Sequence, residues 1–513
     1  MWLLLLVVTL PAFFVFGLRL RKNRHLPPGP KPTFLLGNLF DVPGDKSAPW
    51  KVYAEWRKLY GNIIYFRVLQ KSVIIINSAE IAHDLLEKRG SIYSCRPHVP
   101  MAGDVIGWNW ALPLVPYGET FKRHRKYLQQ YFSKPSLPKY YSIQRKEAHR
   151  LLNDLLEDPD NYRSHIERYA GAIIMEIVFG HRVDSIDDEF LQIASKGGRT
   201  IAAAGAVGSH IVDLIPPLRF IPDWIPGSGF KRLPPGTREA LAAMREVPFN
   251  HVKKKMAAGT ARPCYISDLL GDTNGQDEAG VRDTGANVYS AVTKTLASLM
   301  SAVIALVTDP VIQARAQAEL DTVVGHARLP DFSDRENLPY IQCIISETFR
   351  WGVTTPVGKC SVISHGVPHR VTEDDEYNGY FIPKGTTIVA NAWFASRAML
   401  HDPEIYPEPE TFNPDRFLTG EGRSPQPDPR SCGAFGFGRR RCPGQEIAEN
   451  TIWIAIVSIF YAFKITPEKD DHGNEVPIDK SFSEHSVRHP QPFKCTIKQR
   501  KKRSKELILD VRD

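Results

Sequence analysis

The chain has 513 residues, of which 42% are apolar and 24% charged, as is usual for a globular protein with a sizeable core. Its seven cysteines include no Cys-x-x-Cys pair, which argues against a disulfide framework or a cysteine-rich zinc site. The net charge of +8 is compatible with a nucleic acid, an anionic membrane or an acidic protein as partner, so charge alone does not choose among them.

The amino terminus predicts a membrane anchor. Residues 1–18 contain no charged side chain, and four basic residues follow at once, namely Arg19, Arg21, Lys22 and Arg24. Such a stretch is close to the minimum length of a spanning helix, and the basic cluster after it places the rest of the protein on the cytoplasmic side. A cleaved signal peptide is the alternative, although no basic segment precedes the apolar run. Residues 19–32 then form a basic and proline-rich hinge, which we interpret as a stiff spacer.

The body of the chain, residues 33–497, predicts one large domain that is mainly α-helical with a small β-sheet region. Residues 62–68 and 72–76 have the pattern of two short strands joined by a polar turn. Residues 79–88 have the pattern of a helix. No segment within the body has the composition of a linker, so we predict no internal domain boundary.

Helical patterns dominate the middle of the chain. They extend from about 135 to 270, with a proline-rich interruption at 215–235. Two apolar stretches follow at 287–308 and 311–324, separated by an Asp-Pro pair, and they predict a long buried helix and its neighbour. Residues 498–513 form a basic tail. A solvated terminus is the main interpretation of this tail, and contact with anionic lipid is the other.

A run near the carboxyl end, Phe435 to Gly444, carries the strongest chemical signal. Its lone cysteine, Cys442, has the surroundings that an iron-bound thiolate needs. Glycines such as Gly436 let the backbone approach a flat ligand and aim N–H groups at the sulfur, and the helix that follows favours the thiolate. The guanidinium of Arg440 suits a carboxylate such as a haem propionate, while Phe435 shields the ligand. The alternative is a glycine-rich turn with an incidental buried cysteine.

This run resembles the cysteine-ligand loop of the cytochrome P450 family, Phe-x-x-Gly-x-Arg-x-Cys-x-Gly, and agrees with it at all five fixed positions. The resemblance implies the cytochrome P450 fold, with haem b bound through the thiolate of Cys442. Glu347 and Arg350 match the family's Glu-x-x-Arg pair, and Arg416 matches its downstream arginine. The resemblance implies that these three side chains form a buried, structural charge cluster, although an isolated pair of this spacing is usually a surface ion pair.

The resemblance also implies which cations contact the haem propionates, namely Arg440, Arg125 and Arg370. Arg125 ends a segment similar to the family's Trp-x-x-x-Arg helix, but Phe121 replaces the tryptophan. The bulk of the ring stays while an indole N–H is lost. We therefore expect haem binding that is modestly weakened.

The chain departs from the family where the long helix over the haem normally carries Ala/Gly-Gly-x-Asp/Glu-Thr-Thr. Thr293 stands in place of the acid, Lys294 in place of the first alcohol and Thr295 in place of the second threonine, which leaves Thr293 and Thr295 as candidate proton relays. Residues 359–366 also have the character of an insertion. Three interpretations stay open. They are a monooxygenase that uses these threonines, haem-thiolate chemistry without a relay, and a weakly active or inactive haem protein, including one from a mis-spliced gene model.

The resemblance implies a monooxygenase that inserts one oxygen atom from O2 into a small apolar substrate, similar to fungal members of secondary metabolism. We find no flavin or nicotinamide fingerprint, so the expected electron donor is a separate NADPH–cytochrome P450 reductase. It would meet a basic face around Arg439, Arg440 and Arg441. With the anchor, the resemblance implies a single-pass protein of the endoplasmic reticulum membrane with a cytoplasmic catalytic domain. No motif supports nucleic-acid binding, and a non-catalytic haem-binding or membrane scaffold is the competing class.

Overall fold

The computed structural model describes most of the chain: residues 25–42, 49–203, 210–352, 367–391, 399–420, 422, 424–483 and 489–510. The predicted anchor at 1–18, the first part of the hinge and the predicted insertion at 359–366 lie outside the described residues. One described helical stretch, Glu278–Val307, is long and apolar enough to cross a membrane, but most of it is buried inside the protein. The core helix of a globular domain has the same properties.

Helices make up most of the described structure. In chain order they are α1 Pro49–Tyr60, α2 Ala79–Ala82 with a π-helical turn at His83–Lys88, α3 Gly90–Tyr93, α4 Glu119–Phe132, α5 Tyr141–Glu157, α6 Tyr162–Phe179, α7 Glu189–Ala203, α8 Ile211–Leu214, α9 Thr237–Ala257, α10 Tyr265–Asp272, α11 Glu278–Tyr289, α12 Val292–Val307, α13 Pro310–Val323, α14 Pro339–Trp351, α15 Gln445–Ala462 and α16 Lys502–Asp510. The prediction of a mainly helical fold is confirmed. The proline-rich interruption is also confirmed, because only the short helix α8 and 3-10 turns occur between α7 and α9 among the described residues.

The strands form small sheets. They are β1 Ile63–Val68, β2 Lys71–Ile76, β3 His369–Arg370, β4 Asp375–Tyr377, β5 Tyr380–Ile382, β6 Thr387–Ala390, β7 Phe463–Pro467 and β8 Cys495–Gln499. The largest sheet has the order β1-β2-β6-β3, with β1 antiparallel and β6 parallel to β2. Apolar side chains of β1 and β2 enter two separate clusters, so this sheet is buried on both faces.

The predicted long buried helix consists of α11 and α12, interrupted by a turn at Ser290 and Ala291. Helix α12 packs among α6, α14 and α15 in the centre of the protein. The carboxylate of Asp309 then accepts the N–H groups of Val311 and Ile312, and Pro310 takes the first position of α13. An aspartate cap followed by proline is a favoured helix start, which explains why the two helices separate where the sequence predicts.

The basic tail is folded against the protein and is not the solvated terminus that the sequence predicted. Arg500 and Lys501 both form ion pairs with Asp321, at 2.8 and 2.9 Å. Helix α16 follows and buries Leu507 and Ile508. The prediction of a solvated terminus was wrong because it rested on the lysine and arginine content alone. The apolar residues of this helix lie on one face, and that face packs against the protein.

Candidate active site

Cys442 lies in a loop directly before the amino terminus of α15. Its backbone N–H donates to the carbonyl oxygen of Phe435 at 2.8 Å, and this bond closes the loop on itself. The ring of Phe435 packs edge-on against Phe349 of α14, with 5.0 Å between the ring centroids. The side chain of Cys442 is exposed, whereas cysteines such as Cys343 and Cys495 are buried. Burial raises the pKa of the Cys495 thiol to about 12, which disfavours a thiolate at that position. The Cys442 side chain, by contrast, is accessible to a ligand.

Two glycines shape this loop in different ways. Gly438 adopts a left-handed conformation with φ +49°, and a Cβ atom there would lie 2.4 Å from the carbonyl oxygen of Leu86. Glycine is therefore required for the loop to pack against the π-helical turn after α2. Gly436 is also left-handed, with φ +79°. Its N–H donates to the carbonyl oxygen of Gly433 at 3.0 Å and is thus directed away from the sulfur, which differs from the prediction.

The guanidinium of Arg440 points into the protein. It donates to the carbonyl oxygens of Ser94, Leu112 and Val115, at 2.8, 3.2 and 2.9 Å. It also lies 3.7 Å from the centre of the Phe121 ring, so Phe121 fills the stacking position expected of a tryptophan. Burial lowers the pKa of Arg440 to about 10. The side chain is thus a partly desolvated cation.

The other basic residues of the loop differ from Arg440 in direction. Arg439 is exposed and donates to the hydroxyl of Tyr117 at 2.6 Å. The carbonyl oxygen of Arg441 accepts a hydrogen bond from Arg125 on α4, and burial lowers the pKa of Arg125. The prediction that Arg440 belongs to an outward basic face is therefore wrong. Arg439 and Arg441 remain available on that side of the loop.

Arg96, which was not predicted as a site residue, lies beside Arg440 in the structure. Arg96 is buried, and its guanidinium donates to the carbonyl oxygens of Pro368, at 2.9 Å, and of Val367. Its Nε has no hydrogen-bond partner among the described residues. Burial and then the charge of Arg440 lower the pKa of Arg96. No motif in the sequence signals this residue, because its position depends on the contact between two distant segments.

His369, directly before the predicted site residue Arg370, is a second residue of this region that was not predicted. Its imidazole is buried and donates from Nδ1 to the carbonyl oxygen of Tyr93 at 2.7 Å. Burial and then the charge of Arg96 lower the pKa of His369. Adjacent residues of a strand point to opposite sides, so His369 and Arg370 diverge. In the described part of the chain the guanidinium of Arg370 has no hydrogen bond, and its Nε is buried.

These basic side chains fit the propionate edge of a haem. Arg96, Arg125, Arg370 and Arg440 form no ion pair with a carboxylate of the described residues. Taking a cation out of water is costly unless an anion compensates it. Two carboxylates close together, such as the haem propionates, would supply that charge. The exposed Cys442 thiol would supply the axial ligand.

The structure brings Glu347, Arg350 and Arg416 together in a fully buried cluster. Arg350 donates twice to the Glu347 carboxylate, at 2.6 and 2.7 Å, and Arg416 donates once at 3.4 Å. The backbone N–H of Asn413 completes the set at 2.7 Å. Arg350 also donates to the carbonyl oxygen of Leu400 at 2.8 Å. The cluster thus ties α14 to the long segment that leads to the cysteine loop.

The predicted relay residues lie in the first turn of α12, directly after the break in the long helix. Thr293 and Thr295 are half-buried, and Lys294 between them is exposed. The hydroxyl of Ser290, at the break, donates to the carbonyl oxygen of Asn287 at 2.8 Å. The structure therefore places the substituted residues where the helix backbone is irregular.

Comparison with known proteins agrees with this geometry. The family model described as Cytochrome P450 matches residues 27–497. The chain is 36% identical to cytochrome P450 monooxygenase 176 of Postia placenta, over 98% of this chain and 96% of that protein. It is also 36% identical to cytochrome P450 monooxygenase claR of Ampulloclitocybe clavipes, over 98% and 91% of the two chains. The chain therefore belongs to the cytochrome P450 family of haem b monooxygenases.

Proposed function

We propose that this protein is a membrane-anchored haem-thiolate monooxygenase with Cys442 as the axial ligand. The observation that carries the proposal is the exposed Cys442 in a loop near one buried and three half-buried arginines, none of which has a carboxylate partner in the described structure. A thiolate ligand donates electron density to iron and favours cleavage of the O–O bond.

The proposed reaction inserts one oxygen atom from O2 into a small apolar substrate, in fungal secondary metabolism. Electrons come from a separate NADPH–cytochrome P450 reductase. The apolar residues 1–18 and the basic residues after them support a single-pass anchor in the endoplasmic reticulum membrane with a cytoplasmic catalytic domain. The exposed Arg439 near the cysteine loop supports docking of an acidic partner. The similarity to fungal monooxygenases supports the reaction class.

Each group of residues has a separate task in this proposal. Haem b, when bound, supplies the oxygen-activating chemistry. Cys442 would hold the iron, while Arg96, Arg125, Arg370 and Arg440 would bind the propionates and orient the ring. The Glu347 cluster keeps the cysteine loop in position against α14. Thr293 and Thr295, in the first turn of α12, would hold water molecules and relay protons.

A second candidate function is a haem-binding protein with weak or no monooxygenase activity, or one with non-oxygenating chemistry. Lys294 favours this alternative, because a lysine stands where the family has the first alcohol of the relay and a threonine stands where it has the acid. Consumption of NADPH in the presence of the reductase separates the two candidates. The second candidate predicts full haem loading with no NADPH consumption for any substrate.

The test of the main proposal is the reduced, carbon monoxide-bound absorption spectrum. We expect a strongly red-shifted Soret band for the native protein, and a band at the ordinary haem-protein position for Cys442→Ser. Cys343→Ala is the matched control, because Cys343 is buried in α14 and has no role in the proposal. An ordinary Soret position in the native protein would refute thiolate ligation by Cys442.

A further inference from the structure

Lys294 is an exposed cation in the first turn of the central helix α12. Every residue of α12 from Leu296 to Val307 is buried. Helix α12 packs among α6, α14 and α15. The packing around α12 is therefore open at its first turn, where Lys294 lies.

Ser301 indicates which way Lys294 points. Seven residues separate the two, which is about two turns, so they share one face of α12. Ser301 contacts the end of α14, since a Cβ atom added to Gly352 would lie 2.4 Å from its Cβ. Three residues before Gly352, the ring of Phe349 contacts Phe435 of the cysteine loop, with ring centroids 5.0 Å apart. The face of α12 that carries Lys294 and Ser301 thus meets the end of α14 that contacts the cysteine loop.

Asn287 on α11 lies on the other side of the break and connects to the arginines of the site. It precedes Lys294 by seven residues. Its side-chain oxygen accepts the N–H of Leu112 at 2.8 Å, and the carbonyl oxygen of Leu112 accepts a hydrogen bond from Arg440 at 3.2 Å. One residue thus connects the end of α11 to Arg440. Along the chain, Lys294 lies midway between Asn287 and Ser301.

The ammonium group of Lys294 has no hydrogen bond or ion pair with the residues that the structure describes. Its neighbours on the helix face, one turn away in each direction, are small: Ser290, Ala291, Ala297 and Ser298. The acidic residues of the preceding helix region are already used elsewhere. Asp283 pairs with Arg245 at 2.6 Å, and Asp277 pairs with Arg123 at 2.8 Å. Among the described residues, these acidic side chains are therefore not available to Lys294.

We propose that Lys294 pairs with a carboxylate of the substrate, so that the protein selects apolar monocarboxylic acids. This inference rests on the function proposed above and narrows its substrate class. Haem propionates would neutralise the arginines beside the cysteine loop, whereas Lys294 lies on α12. A single ammonium group makes one charge-assisted hydrogen bond, which favours one carboxylate at the end of an otherwise apolar molecule. The small residues around Lys294 leave space for that group.

The test measures binding of dodecanoic acid and of dodecan-1-ol, both radiolabelled, to the full-length haem-loaded protein by equilibrium dialysis. A tricyclic diterpene acid and its alcohol form a second pair of different shape. We expect the native protein to bind at least one acid about 10- to 100-fold more tightly than the matching alcohol. Lys294→Met should abolish this preference and leave binding of the alcohol unchanged, whereas Lys294→Arg should keep it. Lys58→Met is the control, because Lys58 is an exposed surface residue.

Several outcomes would overturn the inference. They are an acid preference that Lys294→Met retains, equal binding of acid and alcohol by the native protein, and a ferric spectrum that shows Lys294 as a nitrogen ligand to iron. The carbon monoxide spectrum of the same samples separates this inference from the proposed function. A red-shifted Soret band without acid preference contradicts only the role of Lys294. An ordinary Soret band contradicts the proposed function, while the dialysis result still decides whether Lys294 binds the acid.

Discussion

Replacing Glu347 with glutamine removes the negative charge at the centre of the buried cluster with Arg350 and Arg416. The Glu347 carboxylate accepts two hydrogen bonds from Arg350, one from Arg416 and one from the backbone N–H of Asn413. A glutamine offers one oxygen, and its NH2 group would face the donors of an arginine. Two guanidinium groups would then be buried without a compensating charge.

We expect Glu347→Gln to lower the free energy of unfolding by about 3–5 kcal/mol. Removing one partner of a buried ion pair typically costs this much. The loss of two charge-assisted hydrogen bonds, at about 1.5–3 kcal/mol each, leads to a similar value. Urea unfolding followed by tryptophan fluorescence measures the change as a shift of the midpoint at constant slope.

Glu55→Gln is the matched control for this experiment. Glu55 and Lys58 have the same spacing of three residues as Glu347 and Arg350, but their side chains are 64% and 72% exposed. An exposed pair contributes no more than about 1 kcal/mol. If Glu347→Gln and Glu55→Gln lower the free energy of unfolding by equally small amounts, burial does not strengthen the Glu347 ion pairs. The predicted loss of about 3–5 kcal/mol would then be refuted.

Two further predictions concern residues that the structure revealed. Asp321→Asn should destabilise the protein at neutral pH, because Arg500 and Lys501 lose their partner. Burial raises the pKa of Asp321, but hydrogen bonds from both cations outweigh this and lower it. The stabilisation is therefore present above the unfolded pKa of about 3.9 and is lost as the pH falls through the folded value. Urea unfolding of the native protein and of Asp321→Asn measures the difference in their free energies of unfolding. This difference should be smaller in acid than at pH 7, and an equal difference at both pH values would contradict the ion pairs. Arg96→Gln should speed haem transfer to apomyoglobin about 10- to 100-fold, with exposed Arg439→Gln as the unchanged control, and equal rates would argue against propionate binding by Arg96.

Local sequence signals predicted the parts of the fold that depend on neighbouring residues. The strands β1 and β2 lie where alternation and a polar turn placed them, within about one residue. The boundary between α12 and α13 follows from Asp309 and Pro310, because a cap and a fixed φ act within one turn of helix. The spacing of Glu347 and Arg350 did not by itself predict a buried charge cluster, because such pairs are common on protein surfaces. That prediction also required the resemblance to the cytochrome P450 family.

Other features depend on contacts between distant segments, and the sequence did not reveal them. β2 pairs with β6, which lies about 300 residues later in the chain. Arg96 becomes part of the site because its guanidinium reaches the carbonyl oxygens ahead of β3. Basic composition alone suggested a solvated tail, yet Asp321 on α13 holds it in place.

Short runs of residues were enough to indicate the cysteine loop, the succession of helices and the unusual lysine at position 294. The directions of the side chains could not be read in this way. Arg440 points inward, His369 diverges from Arg370, and Lys294 is exposed at the start of a buried helix. Direction, burial and hydrogen-bond partners arise only when segments far apart in the chain pack together. The chemistry of a site depends on these properties as much as on the residue types.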